Sequence, residues 1–241
     1  MKKGLLVVAA SIGLAVGFVL GAMRAAGLLS LRSLEAPAAV AAEGPALFPA
    51  AVAAGGSQVK SYRVATGDLI PGDGDEIALG LTLVSGDGEV AVFRRQGSGW
   101  LQAARIDGLA AIDGLEIRSV TGAGRELLVY DDHDELTGAF YRRRGLTILK
   151  WRAGARGGGS FIPVWSGALY EEAYSLDPPM AERLIRAVEI TAGGGELVLH
   201  GARTRSLRQT NGTYRDVEDI PLCERWRWDE GQFRFVAVPG S

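Results

Sequence analysis

Few side chains in this 241-residue sequence are equipped for covalent or proton-transfer chemistry. There are two histidines, His133 and His200, and one cysteine, Cys223. A Cys–His nucleophile pair would have to use Cys223, whose flanks Pro221-Leu222 and Glu224-Arg225 read as strand, so packing is the expected role of its thiol. The densest acidic run is Asp131-Asp132-His133-Asp134-Glu135. Its carboxylates and imidazole are of the right type to ligate a divalent ion. Its place between two strand-like stretches, Glu126 to Tyr130 and Gly138 to Arg143, reads more simply as a polar hairpin loop. His200 follows Leu199 on the face of Glu196 and Val198, where a hydrogen-bonded structural histidine is expected. Neither a G-x-S-x-G elbow, nor a zinc-protease helix, nor a GK[ST] phosphate loop occurs. The five tryptophans, Trp100, Trp151, Trp165, Trp226 and Trp228, could stack on sugar rings or aromatic peptides. Core packing accounts for them as well, and Asn211-Gly212-Thr213 reads as a turn.

Those side chains have to be carried by elements, and composition says which. Gly is high at 34 and Pro modest at 9, a profile of tight turns between short strands. A formal charge of −2 with scattered Lys and Arg excludes the basic stripe of a nucleic-acid binder. The one basic cluster, Arg142-Arg143-Arg144, reads as a solvated strand end. With a single cysteine no intramolecular disulfide can form.

The N-terminus is of another kind. Lys2 and Lys3 precede an uncharged apolar run from Leu5 to Met23, closed by Arg24. As a helix these residues span about 28 Å, near the thickness of a bilayer core. The run is longer than a signal-peptide h-region and is followed by Arg24, so residues 1–30 are expected to be an uncleaved membrane anchor with lipid around 5–23. The alternative is cleavage downstream, near Ala39-Val40-Ala41, giving a secreted form. The charge bias favours a cytoplasmic N-terminus and a domain outside the cytoplasm. Gly13, Gly17 and Gly21 line one helix face, a spacing that favours self-association in the membrane. Residues 31–60 read as an Ala/Pro/Gly linker, and 61–241 as the extracytoplasmic domain.

From Ser61 onward the apolar period becomes two. Ile77, Leu79, Leu81 and Leu83 share one strand face; Ser85-Gly86-Asp87-Gly88 turns, Glu89 to Arg95 returns, and Gln96 to Gly99 turns again. The same grammar recurs. Thr121-Gly122-Ala123-Gly124-Arg125 leads into Glu126 to Tyr130, and Thr191 to Gly195 leads into Glu196 to His200. Each Gly-rich loop ends in Glu and an apolar strand. Each unit closes on an aromatic hairpin: Phe93 to Trp100, Trp151 to Phe161, and Trp226 to Phe233. The fold class is therefore all-β, built from repeated antiparallel β-meanders behind a transmembrane helix. Asp177-Pro178-Pro179 before Met180 reads as the start of a helical turn, and Ile77, Leu79, Leu127, Leu197 and Phe233 are expected in the core.

The loop Gly67-Asp68-Leu69-Ile70-Pro71-Gly72-Asp73-Gly74-Asp75-Glu76-Ile77 resembles the Asp-rich loop of the FG-GAP/VCBS repeats of integrin-like β-propellers, with Thr121 to Leu128 and Thr191 to Leu197 as degenerate copies. The resemblance covers residues 61 to 238. It implies a propeller-like array. A closed propeller takes about 4–8 blades and three units are seen, so an incomplete or small propeller-like array and a β-sandwich both stay open. It also implies calcium, held by Asp68, Asp73 and Asp75; the other reading of these acids is a structural turn. The function implied is a membrane-tethered, non-enzymatic module binding an envelope protein or glycan. The alternative is an extracytoplasmic hydrolase, directed at glycans, using carboxylates such as Asp131 and Glu135 about 5–10 Å apart.

Overall fold

The structure, a computed structural model, describes residues 59–239 apart from 73, 136–140, 156–157, 177–178 and 192–193. The expected anchor, the Gly13/Gly17/Gly21 face and most of the linker lie outside the described residues. Among the described residues no helix is long and apolar enough to cross a membrane. The chain divides between Glu35 and Ala36 into two units, and all described residues belong to the second.

The described residues of that unit form twelve strands, paired antiparallel: β1 (Val59–Gly67), β2 (Glu76–Leu83), β3 (Gly88–Gln96), β4 (Gly99–Leu109), β5 (Ala111–Arg118), β6 (Glu126–Glu135), β7 (Tyr141–Ala153), β8 (Gly159–Leu176), β9 (Pro179–Ile190), β10 (Glu196–Arg208), β11 (Tyr214–Asp229) and β12 (Arg234–Ala237). Strands β1 to β4 form one four-stranded sheet and β5 to β12 one eight-stranded sheet, each in chain order. The three Gly-rich loops join β1 to β2, β5 to β6 and β9 to β10. The chain is thus three four-stranded meanders, the second and third fused through the β8–β9 pairing.

The meanders stack. Leu69, Ile70, Ala78, Val90 and Val92 of the first meet Ile112, Leu127, Val129, Leu149 and Phe161 of the second in one core. Val120, Leu128, Leu146, Ile148, Val164 and Trp165 of the second meet Leu197, Leu199 and Phe235 of the third in another. Successive residues of β6 and β7 therefore serve opposite cores, as the period of a strand requires. At the first interface small residues set the spacing: a Cβ on Gly80 would meet Ile112 and Leu115, and one on Gly88 would overlap the Ala110 carbonyl. Among the described residues nothing closes the three meanders into a ring, and the core on the free side of the first contains only its own residues.

Three local expectations change. Pro179 opens β9 rather than a helix, because the segment pairs residue by residue with β8, Leu176 to Pro179 through Tyr170 to Ile185; Pro is tolerated at the first position of a strand. Phe233 is half-buried at the tip of the β11–β12 turn with φ 53°, and Phe235 takes the core place instead. The acidic run is strand, not loop: β6 continues through Glu135, opposite Tyr141.

Candidate functional site

The acids that organise the Gly-rich loops are the glutamates that end them. Glu76 is fully buried and its Oε2 accepts from the amides of Leu69 (2.7 Å) and Ile70 (3.0 Å). Glu126 repeats the arrangement, with Oε2 accepting from Val120 (2.7 Å) and Thr121 (3.2 Å) and Oε1 from the Thr121 hydroxyl (2.7 Å). Each carboxylate meets loop donors that neither strand ladder uses. In the third loop Glu196 is not turned inward; its backbone carbonyl accepts from Thr191 (3.2 Å). This loop leans on the second instead: Gly195 donates to the Val120 carbonyl (2.6 Å), and a Cβ on Gly194 would overlap the Gly122 amide.

Lys150 of β7 completes the second clamp. Its Nζ donates to Glu126 Oε1 (2.6 Å), Thr121 Oγ1 (2.9 Å) and the Ala123 carbonyl (2.5 Å), and lies 5.7 Å from the Trp228 ring centre of the third meander. Three acceptors and a π face occupy this ammonium, so it acts as a pin between meanders and not as a nucleophile.

Of the three candidate calcium ligands, Asp68 and Asp75 are exposed at the two ends of the first loop, and Asp73 lies outside the described residues. Among the described residues no group of three or more His, Cys, Asp or Glu side chains is gathered to hold a metal ion. Between the first and second loops opens a cleft of about 350 Å³, lined among others by Asp68, Leu69, Arg125, Lys150 and Trp151. It offers one exposed carboxylate, one exposed guanidinium and an indole. That set can grip a small polar group, but it brings no acid–base pair together.

The acidic run takes a structural role. Asp132 accepts from Arg144 (3.4 Å), its partner across the β6–β7 ladder, and diagonally from Arg142 (3.0 Å), so the acidic run is tied to the basic one. Asp131 and Glu135 sit four residues apart along one extended strand, about 13 Å at 3.3 Å per residue. That exceeds the separation a glycan hydrolase needs. Closer carboxylates occur at a second cavity of about 240 Å³, where Arg105 contacts Glu89 and Asp107 (2.9 Å to the latter). Burial holds the Glu89 carboxyl above its usual range against the pull of Arg105. With an arginine between them, these acids make an ion network, not a water-activating pair.

Cys223 and His200 depart from expectation in the same way. Both are exposed, and they face each other across the β10–β11 ladder, with His200 Nε2 at 3.8 Å from Glu189. Neither is packed in a core, since this stretch of the sheet runs beyond the Leu197/Leu199 cluster.

That distal stretch is the feature no motif announced. Strands β8 to β11 continue past both cores as a sheet with two solvent-facing sides. Across it the charges pair strand to strand: Arg183 with Glu172 (3.0 Å), and Arg205 with Glu182 (3.1 Å) and Glu218 (3.2 Å). Glu172 also accepts from Tyr170 (2.6 Å) and Tyr174 (2.9 Å). Burial works to raise its pKa, but those hydroxyls and Arg183 outweigh it and hold the carboxyl below its ordinary 4.5. Among these pairs Ile185, Leu207, Tyr214, Val217 and Ile220 stand 38% to 43% exposed. The paired-charge pattern could have been found in sequence once β8 to β11 were aligned; the apolar exposure could not, because the same alternation fits a covered strand. No protein-family model matches the chain and no curated protein does.

Proposed function

We propose that the chain is a membrane-tethered, non-enzymatic interaction module, displaying the stacked β-meanders outside the cytoplasm and engaging a protein partner through the distal sheet of β8 to β11. The observation that carries this reading is the set of half-exposed apolar side chains on both sides of that sheet, Leu207 and Ile220 on one and Ile185 and Tyr214 on the other. Exposed apolar groups rimmed by satisfied charges are the usual make-up of a recognition surface. The partner meets a face and not the edge. β11 is blunted against strand addition by Pro221, by the irregular pairing opposite Arg205/Ser206, and by Arg215, Asp216, Glu218 and Asp219. Leu207 and Ile220 lie on one side, since Ile220 pairs with Arg203, four residues before Leu207 on β10. The anchor and the FG-GAP/VCBS resemblance support the same reading from the sequence side.

A photo-reactive residue at position 220 of the full-length protein in its native membrane tests it. The expected outcome is one adduct of discrete mass, absent when Leu207→Asp is added while the melting temperature is unchanged. Absence of any adduct overturns the distal sheet as the contact surface, and turnover of a glycan panel by the purified protein overturns the proposal in favour of the hydrolase reading.

A further inference from the structure

The second and third Gly-rich loops touch, whereas the first and second stand apart. Gly195 donates to the Val120 carbonyl (2.6 Å) and Gly194 lies against the Gly122 amide. Between the first and second loops about 350 Å³ is left open. That falls at the lower end of the range for small-molecule sites, about 300–1,000 Å³.

Three kinds of group converge on this cleft. Asp68 brings a carboxylate from the first loop, Arg125 a guanidinium from the second, and Trp151 of β7 a half-buried indole whose ring centre is 5.2 Å from that of Phe161. Arg125 leans back toward the first meander: its Nη1 is 3.4 Å from where a Cβ on Gly67, the residue before Asp68, would stand. Among the described residues neither the Asp68 carboxylate nor the Arg125 guanidinium has an ion-pair or hydrogen-bond partner. Lys150 also lines the cleft, but its ammonium is held by Glu126, Thr121 and the Ala123 carbonyl. The walls are fixed from behind, since Glu76 holds the amides of Leu69 and Ile70 and Glu126 those of Val120 and Thr121. A site so preorganised loses little on closing around a ligand.

The mixture of groups selects by charge. An anion drawn to Arg125 meets the carboxylate of Asp68, and a cation drawn to Asp68 meets Arg125 and Lys150. A neutral polyhydroxylated ring suits both walls. One hydroxyl donates to the carboxylate and a neighbouring hydroxyl oxygen accepts from the guanidinium, and both bonds are of the stronger, charge-assisted kind. The C–H face of the same ring lies on the indole. A zwitterion would match both charges, but it must shed the hydration of two ions.

We propose that this cleft is a binding site for one neutral sugar residue, held through adjacent hydroxyls by Asp68 and Arg125 and through its ring face by Trp151. Ser119, exposed on the wall of the second loop, adds a hydroxyl to the same cleft. The site goes beyond the protein-binding role of the distal sheet and is separate from it in space. Strand β10 leaves the loop end at Glu196 and reaches the distal sheet at Leu207, so the two surfaces lie at opposite ends of the strands.

Calorimetric titration of the full-length protein in detergent tests the site, with methyl glycosides of neutral hexoses and N-acetylhexosamines as probes and glucosamine, glucuronate and glycine for comparison. Saturable binding of a neutral glycoside is expected, weakened about tenfold or more by Asp68→Asn and by Arg125→Ala. Neither variant should change the melting temperature, because neither side chain has a partner to lose. The glycoside should also shift the tryptophan emission of the unsubstituted protein, and that shift should be lost in Trp151→Phe, which keeps an aromatic ring beside Phe161. Absence of binding by all the neutral glycosides overturns the proposal. So does tighter binding of glucosamine, glucuronate or glycine, or an affinity indifferent to both Asp68→Asn and Arg125→Ala. None of these outcomes depends on whether position 220 contacts a partner.

Discussion

Removal of the Lys150 ammonium leaves the fully buried Glu126 facing Thr121 and two amides with no counter-charge. Breaking one side of a buried pair costs on the order of 3–5 kcal/mol, because the remaining charge is stranded in a poor dielectric. Lys150→Ala should therefore lower the melting temperature by roughly 6–20 °C for a domain of this size. Adding Glu126→Gln to Lys150→Met should recover most of the loss, since replacing both partners is far milder than removing one. Equal losses for the single and double variants in thermal denaturation would mean that the pair is not coupled. The glutamates were visible in the sequence as the last residue of each Gly-rich loop, but their role was not. A carboxylate that caps amides and one that binds a cation look alike until the donors around it are placed.

The distal strands behave as a charge-paired ladder, and one of its members responds to pH. Glu172 has its folded-state pKa below the ordinary 4.5. It thus contributes stability that is complete above that value and is lost as pH falls through the lower, folded-state pKa. Between about pH 6 and about pH 3 the melting temperature of the unsubstituted protein should fall more steeply than that of Glu172→Gln. Parallel curves would show that the Tyr170, Tyr174 and Arg183 contacts contribute nothing to folding. At this level the sequence was legible in part. The second aromatic hairpin was plain, because its residues face one another in the ladder: Trp151 pairs with Phe161, and their rings lie 5.2 Å apart. The acidic run was misread as a loop because cross-strand partners such as Asp132 and Arg144 are twelve residues apart, and a hairpin of charges imitates a polar turn. Strand β2 was read as one-sided, since Ala78, Gly80 and Thr82 on its second face are small. Their smallness is what allows Ile112 and Leu115 to approach.

At the scale of the molecule, the described residues form three stacked four-stranded meanders. Each meander buries its faces against a neighbour, and the last, with little above it, leaves its strands to run outward into solvent. The repetition was legible because each unit restarts with the same Gly-rich loop. The reading stands on the chain being held at its N-terminus with the meanders outside the cytoplasm. Alkaline carbonate washing of native membranes, with protease added to the outer side of intact right-side-out vesicles and N-terminal sequencing of the untreated protein, tests that arrangement directly. The expected result is a chain beginning at its own N-terminal residues, retained in the pellet, whose domain is digested from outside without lysis. A chain released by carbonate, or one beginning near Ala42, or a domain digested only after lysis, would show that it is not a membrane-tethered external module.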